Sequence, residues 1–277
     1  MSIIVLGMHR SGTSAVGGLL HLLGAEYRAD DKTLEMGPDD TNPKSYFERF
    51  DTASLNDDLL EMAGGSWSDT AALDLARLSP SQESSFKARA SAIVTELREH
   101  PPYFIKDPRL CLTLPSWLPL LEKPLAVIVF RHPLEVARSL QARDEFSISF
   151  GLALWEFYSR SLLSVARGIP FLVLCYEEIL EDPLVAAERI LRLAADNQYS
   201  GLSMPKRDGI TQFIDSSLYR NRRGENGPPS LPRSKISTGS SPDFPKKPFT
   251  CPNLRHFPSP RKVHCRHTTI PSPRIKG

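Results

Sequence analysis

The sequence predicts an α/β fold, a mostly parallel central sheet flanked by helices on both faces, and three observations carry that prediction. Short apolar, β-branched runs alternate along the chain with longer segments of helical apolar spacing, the pattern of strands joined by crossover helices. One run, Leu125-Ala-Val-Ile-Val-Phe130, is apolar without a break, as a strand covered on both faces must be. The first run ends in a loop opened and closed by glycine, and that loop leads straight into an apolar helix.

In chain order, Ser2-Ile-Ile-Val-Leu6 is the first strand, Gly7-Met-His-Arg-Ser-Gly-Thr-Ser14 the loop, and Ala15 to Gly24 the helical segment. Ala25 to Lys44 is polar and rich in turn residues, and Met36 to Lys44 reads as a loop. Apolar residues at helical spacing predict a helix from Tyr46 to Met62 with Glu48 in its first turn, ended by Gly64-Gly65. Ser79-Pro-Ser-Gln82 is a capping box with proline at the first helical position, opening a helix to about Glu99. Tyr103-Phe-Ile105 is the second strand, closed by Lys106-Asp-Pro-Arg109, and Leu125 to Phe130 is the third. Helices follow from Pro133 to Arg143 and from Ile148 to Arg167, the latter closed by Gly168. Phe171-Leu-Val-Leu-Cys175 is the last strand, and Asp182-Pro183 caps a helix to Ala195. Trp117 and Trp155 fall in helical apolar patterns as core residues, and Trp67 has no assignment.

Composition divides the chain. Its 277 residues, 40% apolar and 24% charged, suffice for one sizeable core or two small ones. The net charge of +2 hides a split, because residues 220–277 hold 13 Lys/Arg against 2 Asp/Glu and the remainder is acidic. That last segment also carries 11 of the 24 prolines and no apolar period, so it reads as a disordered basic tail outside an α/β domain of residues 1–219. Such a tail could touch nucleic acid or an anionic membrane, but a solvated tail with no specific nucleic-acid partner is the plainer expectation. Cys111, Cys175, Cys251 and Cys265 show no C-x-x-C spacing and fit a reducing compartment, with Cys175 filling core. No apolar stretch is long enough to span a membrane, and the first strand leaves no room for a leader, so a cytoplasmic protein is expected.

Two segments carry chemistry. Gly7, Gly12, Thr13 and Ser14 follow the nucleotide-binding spacing G-x-x-x-x-G-K-[ST], with Thr13 where the lysine belongs. Glycines that let backbone N–H groups converge, set before a helix N-terminus, make an anion site held largely by main chain. In a nucleoside triphosphatase the missing lysine reaches the β- and γ-phosphates and the next hydroxyl holds magnesium. Here Arg10 is the nearby cation, which suits a different anion; a glycine turn without ligand is the plainer alternative. At the end of the third strand stands Arg131, where an aspartate for magnesium is often found, with Ser139 eight residues on. A guanidinium fork beside a hydroxyl suits a second phosphate, whereas pairing with a carboxylate such as Glu135 would make it structural.

Gly7-x-x-Arg10-Ser11-Gly12-Thr13-Ser14 together with Arg131-His-Pro-x-x-Val-x-x-Ser139 resembles the sulfotransferase family, in its bacterial or carbohydrate- and protein-type branch, over roughly residues 1–215. The resemblance implies a P-loop, nucleotide-kinase-like α/β fold and 3′-phosphoadenosine 5′-phosphosulfate as sulfonate donor. It implies that Arg10, Ser11, Gly12, Thr13 and Ser14 cradle the donor's 5′-phosphosulfate, and that Arg131 and Ser139 clamp its 3′-phosphate. Lys106 resembles a family lysine near the transferred group, and Arg222-Arg-Gly-Glu-Asn-Gly227 imitates a late segment laid over the nucleotide.

Sulfonate transfer is an in-line attack by an acceptor hydroxyl or amine on sulfur, and no metal is expected, because cations and loop amides can stabilise the departing phosphate. Arg10 and Lys106 are the candidates for that stabilisation. Glu48 is the candidate base, since many members use a glutamate from this region, although a helix's first turn favours glutamate on electrostatic grounds alone. His9 is a second candidate base with a structural role in the loop as its plainer reading, and Asp107 and Arg109 read as partners of each other or of neighbours. The acceptor pocket falls in residues 30–75 and 144–165, for a small molecule or glycan that the residues do not name. A small-molecule kinase using ATP and a non-catalytic nucleotide-binding scaffold are the alternatives.

Overall fold

The structure is a computed structural model that describes residues 2–27 and 44–214. Four strands, β1 (Ser2–Leu6), β2 (Tyr103–Lys106), β3 (Leu125–Phe130) and β4 (Phe171–Cys175), form one sheet in the order β2-β1-β3-β4. All three pairings are parallel, with Val5 opposite Lys106, Leu6 opposite Ile128 and Phe130 opposite Cys175. That register brings the carboxyl ends of the strands to one edge. The chain leaves β1 for β2 on one side and returns to β3 on the other, so the crevice between the loops after β1 and β3 is the topological switch point.

Alternation along the strands builds two cores. Ile4 and Leu6 of β1, with Ala126, Ile128 and Phe130 of β3, face α2 (Phe50–Met62), α3 (Pro80–Arg98), α4 (Leu110–Trp117), α5 (Pro133–Asp144) and α6 (Ile148–Val165). Ile3 and Val5, with Val127 and Val129, face α1 (Thr13–Leu22), α8 (Pro183–Asp196) and α9 (Arg207–Phe213). Every residue of β1, β2 and β3 is buried, which explains why their sequences carry no polar alternation. Each fully buried Leu or Ile in these layers contributes about 1.5–3 kcal/mol of transfer free energy.

The predicted elements are present, with local differences. Ser79 Oγ accepts from Gln82 N at 3.3 Å and Gln82 Oε1 accepts from Ser79 N at 2.8 Å, so the capping box forms. Asp182 caps α8 through Val185 N at 3.1 Å. Trp117 is buried and donates Nε1 to Asn56 Oδ1 at 2.9 Å. The helix expected from Tyr46 begins instead at Phe50, because Ser45 (φ 91°) and Phe47 (φ 55°) occupy the left-handed region and interrupt it. Glu48 therefore precedes the helix rather than sitting in its first turn. The short helices α7 (Tyr176–Glu181) and α9 escape the sequence reading, and of α4 the sequence reading gives only the helical pattern at Trp117; α4 contains Pro115, a residue that ordinarily argues against a helix interior. Among the described residues no helix is long and apolar enough to cross a membrane. The expected tail, the Arg222 to Gly227 segment, Cys251, Cys265 and much of the Ala25 to Lys44 loop lie outside the described residues.

Candidate active site

The loop after β1 is shaped by what touches its glycines. A side chain on Gly7 would meet Val129 Cγ1 and Thr13 Cγ2 within 2.9 Å, so only glycine lets the loop leave the sheet this close to β3. Gly12 has φ +95°, and a Cβ there would lie 2.2 Å from the Tyr176 ring. Arg10 also turns through the left-handed region (φ 67°), and Ser11 N closes the bend on Met8 O at 3.1 Å. Ser11 and Thr13 are buried while Gly12 and Ser14 are partly open, so the loop presents main chain and the start of α1 to the crevice.

Arg10 and Arg131, 121 residues apart, meet here. Arg131 Nη1 donates to the Arg10 carbonyl at 3.2 Å, and Arg10 Nε donates to Ser139 Oγ at 2.9 Å. Both sequence motifs thus enter one cluster at the switch point. Arg131 is 7% exposed, is held over the Tyr176 ring at 4.9 Å, and pairs through Nε with Glu135 at 3.1 Å. The carboxylate partner anticipated for a purely structural Arg131 is therefore present, alongside its contact with the loop. Arg10 has no ion-pair partner among the described residues, and burial together with the charges of Arg143 and Arg131 lowers its pKa. A guanidinium crowded by others in this way can take an anion as counter-charge.

On the other side of the loop, Lys106 ends β2 and is 3% exposed. Its Nζ donates to Ser14 Oγ at 3.2 Å, to the Tyr46 carbonyl at 2.9 Å, and to Glu48 Oε1 in a direct ion pair. Burial raises the Glu48 pKa and Lys106 opposes that rise. The bent segment before α2 is what turns Glu48 inward. Next to this pair, Arg109 binds Asp107 at 2.9 Å and Asp57 at 2.5 Å; burial works against its charge, but the two carboxylates outweigh it and raise its pKa.

His9 lies between these groups. Its ring is 4.6 Å from that of Trp67 and 5.9 Å, edge-on, from that of Tyr158. Its Nε2 is buried and has no hydrogen-bond partner among the described residues. Burial, then Arg109, Arg143, Lys106 and Arg10, hold its pKa well below the usual histidine range. Sequence reasoning missed Tyr176 and Arg143, and it reached Trp67 only as part of the 30–75 range without assigning it. Tyr176 had a readable signal, being the first residue after the fourth strand and so at the same sheet edge as the other loops. Trp67 and Arg143 reach the site through tertiary packing that no local pattern announces. Among the described residues no group of three or more His, Cys, Asp or Glu side chains is arranged to hold a metal.

Comparison with known proteins supplies the family. No curated protein matches the chain. Among solved structures, the sulfotransferase domain from the Synechococcus PCC 7002 olefin synthase aligns over 82% of this chain and 90% of its own, at 15% identity and a TM-score of 0.49. The sulfotransferase domain from the curacin biosynthetic pathway aligns over 78% of both chains at 14% identity and a TM-score of 0.44. Sulfotransferase STF1 from Mycobacterium tuberculosis H37Rv aligns over 78% of this chain and 71% of its own, at 16% identity and a TM-score of 0.39. A model of the sulfotransferase family matches residues 2–195, which include both arginine-bearing motifs, and the chain belongs to that family.

Proposed function

We propose that the chain, through a domain of residues 1–219, transfers a sulfonate group from 3′-phosphoadenosine 5′-phosphosulfate to an acceptor. The observation that carries this reading is the joined cluster of Arg10, Ser139 and Arg131 at the switch point, where two cations and a hydroxyl flank a helix N-terminus. An anion with charge at both ends fits such a cluster better than a single phosphate does. The main chain of Ser11 to Ser14 and the Arg10 side chain would hold the phosphosulfate end, and Arg131 with Ser139 the 3′-phosphate end.

The donor supplies an activated sulfonate and a leaving group already stable as a phosphate. The protein's task is to stabilise charge gathering on that phosphate, which preorganised amides and cations do well in a site shielded from water. Lys106 is the cation beside the loop, fixed by Ser14, the Tyr46 carbonyl and Glu48. Glu48 is bonded to Lys106, so its first role in this arrangement is to aim that lysine; proton transfer from the acceptor is a separate task.

Thr13 in the lysine position and the cation Arg131 at the end of β3 argue against an ATP-dependent kinase. Titration calorimetry tests the choice directly. Adenosine 3′,5′-bisphosphate is expected to bind tightly without magnesium and ATP with magnesium weakly. The reverse order overturns the proposal in favour of the kinase.

A further inference from the structure

Resting on that sulfotransferase reading, we propose that His9 Nε2 takes the proton of the acceptor hydroxyl, and that the acceptor carries an apolar body laid along Trp67, Phe146 and Phe150. His9 sits inside the loop that holds the donor's reacting end in that reading, and it is only 8% exposed. Its Nε2 is buried and makes no hydrogen bond among the described residues. Native proteins leave such atoms unsatisfied seldom, and a substrate hydroxyl is a partner that would satisfy this one.

A row of rings leads from His9 to the surface. Trp67 stands 4.6 Å from His9, Phe146 stands 5.8 Å from Trp67, and Phe150 stands 5.0 Å from Phe146. Tyr158 holds Trp67 in place by donating its hydroxyl to the Trp67 carbonyl at 2.7 Å. Phe150 is 42% exposed, and Phe157, two helical turns on, also stands open on α6. The apolar stripe is thus continuous with the buried imidazole.

Charge selects the acceptor's reacting group. The loop contributes Arg10, the end of β2 contributes Lys106 and Arg109, and α5 contributes Arg143, which lies over the Trp67 ring at 5.5 Å. α6 contributes the neutral Tyr158; Asp107 and Asp57 balance Arg109, Asp144 balances Arg143, and Glu48 balances Lys106. Burial first, and then the four cations round the imidazole, keep it unprotonated at neutral pH, and the cations oppose entry of an ammonium group. In the step itself, the acceptor oxygen forms a bond to sulfur while the bond from sulfur to the bridging phosphate oxygen breaks. The electron pair of the broken bond leaves with adenosine 3′,5′-bisphosphate, and the acceptor proton moves to Nε2.

The test uses the full chain, sulfur-labelled donor, and four probes: 2-naphthol, 1-octanol, octylamine and glucose. Transfer to 2-naphthol or 1-octanol in preference to octylamine and glucose is expected. His9→Gln should lower kcat with the better alcohol about 10²- to 10⁴-fold and remove the acid limb of its kcat–pH profile, while Glu48→Gln keeps that limb. Trp67→Ala should raise KM for 2-naphthol about tenfold, a larger change than its effect on kcat, and Trp67→Phe should restore most of the loss. Persistence of the acid limb in His9→Gln, or its disappearance in Glu48→Gln, overturns the role of His9. Preference for octylamine or glucose, or transfer to none of the probes, overturns the acceptor class. Loss of adenosine 3′,5′-bisphosphate binding in both His9→Gln and His9→Asn would make His9 a support of the loop and overturn the proposal. Failure of that nucleotide to bind the unaltered chain would overturn the sulfotransferase reading itself.

Discussion

Arg10, half-buried, and Lys106, buried, are cations flanking the same glycine loop, and they are kept in opposite ways. Arg10 has a hydroxyl for company, a lowered pKa, and two other guanidinium groups nearby. Lys106 has a carboxylate, a carbonyl and a hydroxyl, a complete set for its three donors. If the donor binds as proposed, this difference decides where its arriving charge acts first. On the Arg10 side it relieves a like-charge crowd, so binding gains from the field already there. On the Lys106 side it competes with Glu48, so contact with the lysine requires that an existing pair loosen. In the proposed function the first arrangement would supply affinity, and the second would hold its cation back until the reacting group is in place.

The largest effect should come from breaking the paired side. Removing one partner of a buried ion pair costs about 3–5 kcal/mol, because the other charge stays buried. Lys106→Met leaves Glu48 with a pKa raised further, so the carboxyl must protonate to fold. The unfolded carboxyl is charged above its ordinary pKa, so the variant should lose stability as pH rises from about 4.5 towards neutrality. The double variant Lys106→Met/Glu48→Gln should recover most of the loss. Urea unfolding across that range checks both; a pH-independent loss would show that Glu48 is not the group left behind.

The Arg10 side is sharpened by binding. Arg131→Ala should weaken adenosine 3′,5′-bisphosphate by about 2–5 kcal/mol, the range for losing one partner of a buried charged pair, and should weaken adenosine 5′-phosphosulfate much less. Equal losses would assign Arg131 to bracing the Arg10 carbonyl rather than to the 3′-phosphate. Gly12→Ala comes next. It places a methyl into the Tyr176 ring at a φ of +95° and should cost about 1–3 kcal/mol of stability. Gly12→Ala in a Tyr176→Ala background should recover the steric part and leave the backbone part, which separates the two causes.

These two sides also differ in how they can be read from sequence. Gly7, Arg10, Gly12 and Arg131 are legible because short motifs and strand ends fix them: a strand followed by a glycine loop, and a cation at the next parallel strand's carboxyl end, must share one sheet edge. The sheet and most of its helices are legible for the same reason, since each is a local apolar period. Glu48 was placed near the site but in the wrong local structure, because left-handed backbone at Ser45 and Phe47 has no glycine to announce it. The ring row from His9 to Phe150 was legible only as ranges, since 30–75 and 144–165, expected to line the acceptor pocket, contain Trp67, Phe146 and Phe150, while their meeting with His9 comes through packing alone.

The smallest effect belongs to the group between the two sides. His9 is buried and unprotonated, so its folded pKa lies below the ordinary value of 6.5 found in the unfolded chain. Above that value both states are unprotonated and the residue adds nothing to pH dependence. Below it the unfolded chain binds a proton that the folded chain refuses, so stability falls as pH falls from 6.5 towards the folded pKa. His9→Gln removes that slope and nothing above it. Thermal unfolding from pH 8 to pH 5 should therefore show the two proteins running parallel at the alkaline end and converging, or crossing, at the acid end. Curves parallel throughout would mean that the histidine gains its proton in the folded chain as readily as in water, and neither its burial nor the cations of both sides would then hold the proton off.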